Sequence, residues 1–271
     1  MFPDILKIPL LLTYFLKKFT LEISGGKMRF FLLALFLFWG MPVWAISESQ
    51  ITKLIEKAPE TTSSSDLPQL VKKLTHGLNT DEDKAYVLLT WIVKNIDYDD
   101  YKMNQIDKKM ASKYSRAKVP VSGDILKTRL GVCEDIAGLY QQMLEKAGMK
   151  AVVIDGCAGE VDRRKGGCKD KGAGHAWNAV WIDNQWELVD PTWAMTGEQT
   201  SAMGDITKEK KYERELKKRE KKSAKNYKAR SGRNVDKKWF MANPKTMEQD
   251  HQPNDKKWLL LKTRDRKNKN L

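Results

Sequence analysis

Cysteine and histidine are scarce in this chain, at three of each among 271 residues. Three cysteines cannot build the dense disulfide framework that staples a small secreted domain. They supply no structural zinc site either, because Cys157 and Cys168 lack a His or Cys partner at ligand spacing. Long hydrophobic runs are missing too. No apolar stretch reaches the roughly 18 to 20 residues of a membrane span, which excludes a multi-span protein. What is present argues for a packed core: hydrophobic residues make up 41% of the chain and nine are Trp. That is too much apolar material for a disordered chain and suits one or two domains.

Acidic residues are the third shortage, with 35 Asp and Glu against 49 Lys and Arg and a net charge of +14. The excess is local. Residues 208–238 hold 15 basic and 5 acidic side chains, while the rest of the chain is close to neutral. A basic block can address nucleic acid or another polyanion. This one contains no nucleic-acid-binding motif, so nucleic acid is not expected as a partner. Its plainest form is a solvated helix or mobile insert, with Lys208–Lys238 as the candidate contact for an anionic surface or polymer.

Met28-Arg29 precedes the apolar stretch Phe30–Trp39, a Gly40-Met-Pro breaker, and the small or neutral Val43 and Ala45. That order is the pattern of a secretory signal peptide. It predicts translation from Met28, an over-extended start over 1–27, an exported chain beginning at Ile46, and no membrane span after cleavage; the alternative reading of the same segment is an uncleaved signal anchor. In an oxidising compartment an odd cysteine count suggests one disulfide and one free thiol. Cys157 and Cys168 flank a Gly/Lys-rich stretch and are the expected pair, leaving Cys133 free; in a reducing compartment all three stay reduced.

After Ala45, Ser47 to Lys57 predicts a short helix and residues 59–65 a linker. Apolar residues at 67, 70, 71, 74 and 78 have helical spacing, and Thr80-Asp-Glu-Asp83 caps a second helix with its stripe at 85, 88, 89, 92 and 96. Residues 102–122 read as polar and irregular. Ser122–Thr128 predicts a short helix leading into Gly131-Val-Cys-Glu-Asp-Ile-Ala. From there Ile136, Leu139, Tyr140, Met143, Leu144 and Ala147 mark an amphipathic helix closed by Gly148. Cys133 falls at its start, where unpaired N–H groups and the helix dipole favour a thiolate.

Lys150 to Ile154 is strand-like. Gly174–Ile182 and Gln185–Trp193 then form two strand patterns around Asp183-Asn184, the signature of a tight hairpin. A two-residue turn sets Ile182 opposite Gln185, Trp177 opposite Asp190 and His175 opposite Thr192. His175, Trp177, Trp181, Trp186, Leu188 and Asp190 then share one face, with His175 and Asp190 as diagonal neighbours. That Trp-lined face is the expected surface for the Cys133 helix. A thiol facing an imidazole that a carboxylate orients is the layout of nucleophilic catalysis. His76 sits at a polar helix end and His251 in a Pro-containing tail, which leaves His175 as the histidine framed by strand and aromatics.

At these residues the chain resembles the transglutaminase-like superfamily. The matching segments are Gly131-Val-Cys-Glu-Asp-Ile-Ala, Gly174-His-Ala-Trp-Asn-Ala-Val and Trp186-Glu-Leu-Val-Asp-Pro-Thr-Trp193, in the family's Cys, His, Asp order. Asp81 to Tyr98 is similar to the helix before the core. Trp239-Phe-Met-Ala-Asn-Pro244 and His251-Gln-Pro253 are similar to the tail of relatives of the kyphoscoliosis peptidase. The resemblance implies an α+β, papain-like domain over 66–262, with the nucleophile helix packed on an antiparallel β-sheet. The basic insert at about 205–238 and the Cys157–Cys168 loop depart from the family pattern, and 263–271 is a basic tail. It also implies Cys133 as nucleophile, His175 as base and Asp190 as its orienter, with no cofactor or metal. The implied protein is a secreted or periplasmic thiol enzyme. It would act on protein or peptide amide bonds by hydrolysis or by acyl transfer to an amine. The competing expectation is a weakly active or inactive module of this family that binds protein or cell-wall polymer.

Overall fold

The computed structural model describes residues 46–58, 65–111, 123–160, 168, 174–196, 209–221 and 232–260. The expected signal segment, most of the linker, residues 205–208 and 222–231 of the basic insert, and the basic tail lie outside the described residues. Among the described residues no helix is long and apolar enough to cross a membrane.

Helix α1 (Glu48–Glu56) starts on a capping box in which Ser47 and Gln50 satisfy each other's backbone N–H groups, and it buries Ile51 and Ile55. Helix α2 (Leu67–Leu74) buries Leu67, Leu70, Val71 and Leu74 as a single stripe. It stops one turn sooner than the apolar spacing predicts, and Gly77 takes φ +78° just after it. In α3 (Asp81–Asn95) the Thr80 hydroxyl accepts from the Asp83 N–H, the cap expected from sequence. Burial goes beyond the predicted stripe to Val87, Thr90, Trp91 and Val93, so α3 runs through the core rather than along it.

Strand β1 (Asp97–Tyr98) follows, and then α4 (Asp100–Ala111). The latter corrects the expectation of irregular chain from residue 102. Its mean hydropathy is low and its apolar residues are sparse, so no stripe announced it. After α5 (Gly123–Thr128), β2 (Leu130–Gly131) pairs in parallel with β1, setting Asp97 opposite Leu130 and Tyr98 opposite Gly131. That pairing aims the chain straight into α6 (Cys133–Lys146). The stripe of α6 is buried, and the Tyr140 hydroxyl donates to the Ala85 carbonyl of α3 at 3.1 Å. Gly148, at φ +83°, ends the helix as expected.

The main sheet is antiparallel throughout, in the order β5-β4-β3-β8. Its strands are β3 (Ala151–Ala158), β4 (Gly174–Ile182), β5 (Gln185–Val189) and, beyond the separate antiparallel pair β6 (Met195–Thr196) and β7 (Asn234–Val235), β8 (His251–Pro253). Asp183 and Asn184 take φ of 49° and 63°, the pair of left-handed residues that a type I′ turn needs. The register follows: Ile182 faces Gln185 and Asn178 faces Val189, as the two-residue turn predicts.

The face presented to α6 is the opposite of the expected one. Asn178 Nδ2 donates 3.0 Å to the Ala137 carbonyl in α6, so α6 lies on the side of Ala176, Asn178 and Val180. Those small or medium side chains let a helix approach closely. The Trp177 side is covered instead by the C-terminal segment. Trp177 packs edge-on to His251, and Trp186 edge-on to Trp258.

The described part of the basic insert is largely the solvated helix expected, but one edge of it is anchored to the domain. Helix α7 (Glu209–Lys221) sets the Tyr212 hydroxyl 2.7 Å from Asp99 Oδ2 and stacks that ring on Tyr101. Arg219 Nη1 reaches Asp97 Oδ2 at 3.1 Å, and Arg233, just before β7 (Asn234–Val235), reaches Asp97 Oδ1 at 2.7 Å. Both guanidinium groups are buried. One buried carboxylate thus holds two arginines, and its own charge makes their burial tolerable.

Candidate active site

Cys133 is the first residue of α6 and is buried, with its thiol free. The turn that delivers it is tightly fixed. Asp135 Oδ2 accepts from the Val132 N–H at 3.0 Å and from Lys102 Nζ at 2.8 Å. A β-carbon added to Gly131 would come within 2.6 Å of Ile125 Cδ1.

His175 occupies the start of β4, and its Nε2 lies 2.7 Å from Asp190 Oδ2. The imidazole also interacts electrostatically with the Cys133 side chain. With Nε2 committed to Asp190, Nδ1 is the nitrogen left for the thiol. Burial alone would push the His175 pKa down. The Asp190 carboxylate and the Cys133 thiol outweigh it and raise the pKa to about 10. The three residues predicted from sequence are therefore brought together: a thiol, an imidazole and a carboxylate in one line.

Asp190 follows β5 and is fully buried. Its Oδ1 accepts from the Thr192 and Trp193 N–H groups at 2.9 and 3.0 Å. Its Oδ2 accepts from His175 Nε2 and, at 2.9 Å, from His251 Nε2. Burial works to protonate this carboxyl, yet the two histidines hold it well below the usual carboxylate range.

His251 is the residue that sequence reasoning missed, and its assignment to a peripheral tail is corrected here. It is the first residue of β8, opposite Ala158 of β3, and only 1% of its surface is exposed. Its Nδ1 lies 2.6 Å from Asp250 Oδ1, and Trp177, Trp193 and Trp239 pack around the ring. A three-residue strand containing a proline has no periodicity to announce it. The one available signal was the resemblance of His251-Gln-Pro253 to the family tail. Gly156 makes the approach of β8 feasible, since a β-carbon there would sit 2.2 Å from the Gln252 carbonyl oxygen.

The expected Cys157–Cys168 disulfide is present, with its Cα atoms 5.9 Å apart. Cys157 pairs with Gly174 on one side and Gln252 on the other, so the bond attaches directly beside the strands carrying both site histidines. Among the described residues His175, Asp190 and His251 could offer ligand atoms to a cation, all lying within 4.8 Å of one another. Those atoms already satisfy each other as donors and acceptor.

Residues 68–191 match the family model of the Transglutaminase-like superfamily. The chain thus carries a transglutaminase-like domain, built as an α+β, papain-like core. It is 27% identical over 215 residues to the human (Homo sapiens) kyphoscoliosis peptidase, a match covering 79% of this chain and 27% of that protein. Against the mouse (Mus musculus) kyphoscoliosis peptidase it is 28% identical over 212 residues, covering 78% and 26%. The chain therefore spans about a quarter of the length of these curated relatives. Among solved structures it is similar to the periplasmic domain of TgpA from Pseudomonas aeruginosa. That likeness has 21% identity and a TM-score of 0.36, over 55% of this chain and 48% of that one.

Proposed function

We propose that the domain over 66–262 is a thiol enzyme acting on protein or peptide amide bonds, with Cys133, His175 and Asp190 as its triad. The observation that carries it is the His175 ring, bonded through Nε2 to Asp190 Oδ2 at 2.7 Å and interacting electrostatically with the Cys133 side chain. Cys133 gives its thiol proton to His175 and attacks the carbonyl carbon, and the new S–C bond places negative charge on the carbonyl oxygen. The Cys133 backbone N–H, unpaired at a helix start, is suited to stabilise that charge. His175 then protonates the departing amine as the C–N bond breaks, leaving a thioester. Water or an amine, deprotonated by His175, attacks the thioester and regenerates the thiol. Water gives hydrolysis; a lysine gives acyl transfer.

The signal-like order of residues 28–45 and the Cys157–Cys168 bond support placing the protein in the periplasm or outside the cell. N-terminal sequencing of exported protein should begin at Ile46, and a mature chain retaining Phe30 overturns that placement.

The enzyme reading is tested with Cys133→Ala. Labelling by iodoacetamide under native conditions should vanish, and cleavage or transfer on peptide amides should be lost, while thermal melting stays within a few degrees of wild type. Full activity in Cys133→Ala removes the catalytic assignment.

A further inference from the structure

The triad chemistry leaves unused a buried titratable group that touches Asp190. His251 is 1% exposed and directs both ring nitrogens at carboxylate oxygens, Nε2 at Asp190 Oδ2 (2.9 Å) and Nδ1 at Asp250 Oδ1 (2.6 Å). A neutral imidazole has one N–H donor and one bare lone pair. A lone pair aimed at a carboxylate from 2.6 Å is repulsive, so this geometry is satisfied when both nitrogens carry protons. The other groups facing the ring do not supply that charge balance. His175 approaches from β4 edge-on at 5.4 Å, β3 offers Ala158 and the disulfide-bonded Cys157, and Lys238 is stacked outside on the Trp239 ring.

We propose that His251 is a positioning residue of the thiol chemistry, a buried cation that shares Asp190 Oδ2 with His175 and so governs how firmly His175 holds its proton. The proposal rests on the triad reading above. Fixing Asp190 in place does not require His251, because the Thr192 and Trp193 N–H groups already hold Oδ1. What His251 adds is charge on the very oxygen that His175 uses. An unshared carboxylate in this dry site would bind the His175 proton tightly and make it a reluctant acid toward the leaving amine. A second imidazolium on Oδ2 draws off part of that field. The chain Cys133, His175, Asp190, His251, Asp250 then alternates in sign through the core and ends at Asp250, whose side chain is 26% exposed.

Three histidines make the test direct, since ¹⁵N-histidine labelling of the full chain gives only three imidazoles to follow. At neutral pH His251 should show protons on both ring nitrogens, as its two carboxylate partners require. In His251→Gln an uncharged N–H donor replaces the cation. The His175 titration midpoint should then rise by about one pH unit, and kcat on a peptide amide should fall about tenfold with KM little changed. Asp250→Asn should shift the His175 midpoint the same way, and its partly exposed position guards against a folding failure in the first variant. A bare nitrogen on His251 at neutral pH, or a His175 midpoint unmoved in both variants, overturns the proposal. Cys133→Ala separates this from failure of the triad itself: it should lower the His175 midpoint, and no change there sinks the triad reading along with the role of His251.

Discussion

Adding one methyl group at Gly156 should dislodge the strand that completes the site. Gly156 lies in β3 between His175 of β4 and Pro253 of β8. A β-carbon at this position would stand 2.2 Å from the Gln252 carbonyl oxygen, 2.9 Å from the Gln252 carbonyl carbon and 2.6 Å from Trp177 Cη2. Trp177 is fully buried and the Gln252 atoms are backbone, so neither can turn aside. Relief requires β8 to back away by about 1 Å to reach ordinary contact distance. Overpacking of this kind costs about 1–3 kcal/mol. The shift also stretches the charged His251–Asp190 hydrogen bond, worth about 1.5–3 kcal/mol. A loss of about 3 kcal/mol in Gly156→Ala lowers Tm by roughly 6–12 °C in a domain of this size. Gly138→Ala is the control. Nothing lies within 4 Å of its added β-carbon, and it sits inside α6. Its better helix propensity should add about 0.5–1 kcal/mol. Thermal melts followed by tryptophan fluorescence compare the two. If Gly156→Ala melts within about 2 °C of wild type, β8 is not held as tightly as the structure shows.

Three other perturbations probe separate links. Asp97→Asn removes the charge that the buried Arg219 and Arg233 share, while Arg219 keeps Glu215 Oε1 at 3.7 Å from its Nε. It should cost about 3–5 kcal/mol in urea unfolding, and a loss under about 1 kcal/mol refutes the anchoring role of Asp97. Thiol titration of the denatured, unreduced protein should find one free thiol, mapping to Cys133. Reducing the Cys157–Cys168 bond should lower stability by about 2–3 kcal/mol, and three free thiols before reduction contradict the pairing. The His175–Asp190 pair also makes stability depend on pH. The His175 pKa is raised from 6.5 to about 10, so its contribution is complete below about 6.5 and is lost as the pH climbs toward 10. The Asp190 pKa is lowered from 3.8, so its contribution is present above that value and is lost as the pH falls below it. Urea midpoints of the wild type should fall between pH 7 and about 10 more steeply than those of His175→Gln, and parallel falls contradict the pairing.

The parts of the site legible in the sequence are those that short-range geometry fixes. Asp183 and Asn184 determine the turn, the turn determines the register, and the register carries His175 and Asp190 to one face. Cys133 was legible because the stripe from Ile136 to Leu144 fixes where α6 begins. Apart from α4, whose sparse apolar residues form no stripe, the hidden parts depend on partners far along the chain. Which face of the β4–β5 hairpin meets α6 is decided by Asn178 reaching Ala137, 41 residues away, and both faces were apolar enough to qualify. Arg219 and Arg233 meet Asp97 across 122 and 136 residues. A charge in a sequence carries no mark of whether its partner will bury it. His251 is the sharpest case. Its strand spans three residues, too few for a pattern, and it joins the sheet only because Gly156, 95 positions earlier, leaves room for the Gln252 carbonyl. The missing side chain at Gly156 is thus as much a part of the site as the imidazole it admits. That is why replacing Gly156 and replacing His251 should disturb the same proton on His175.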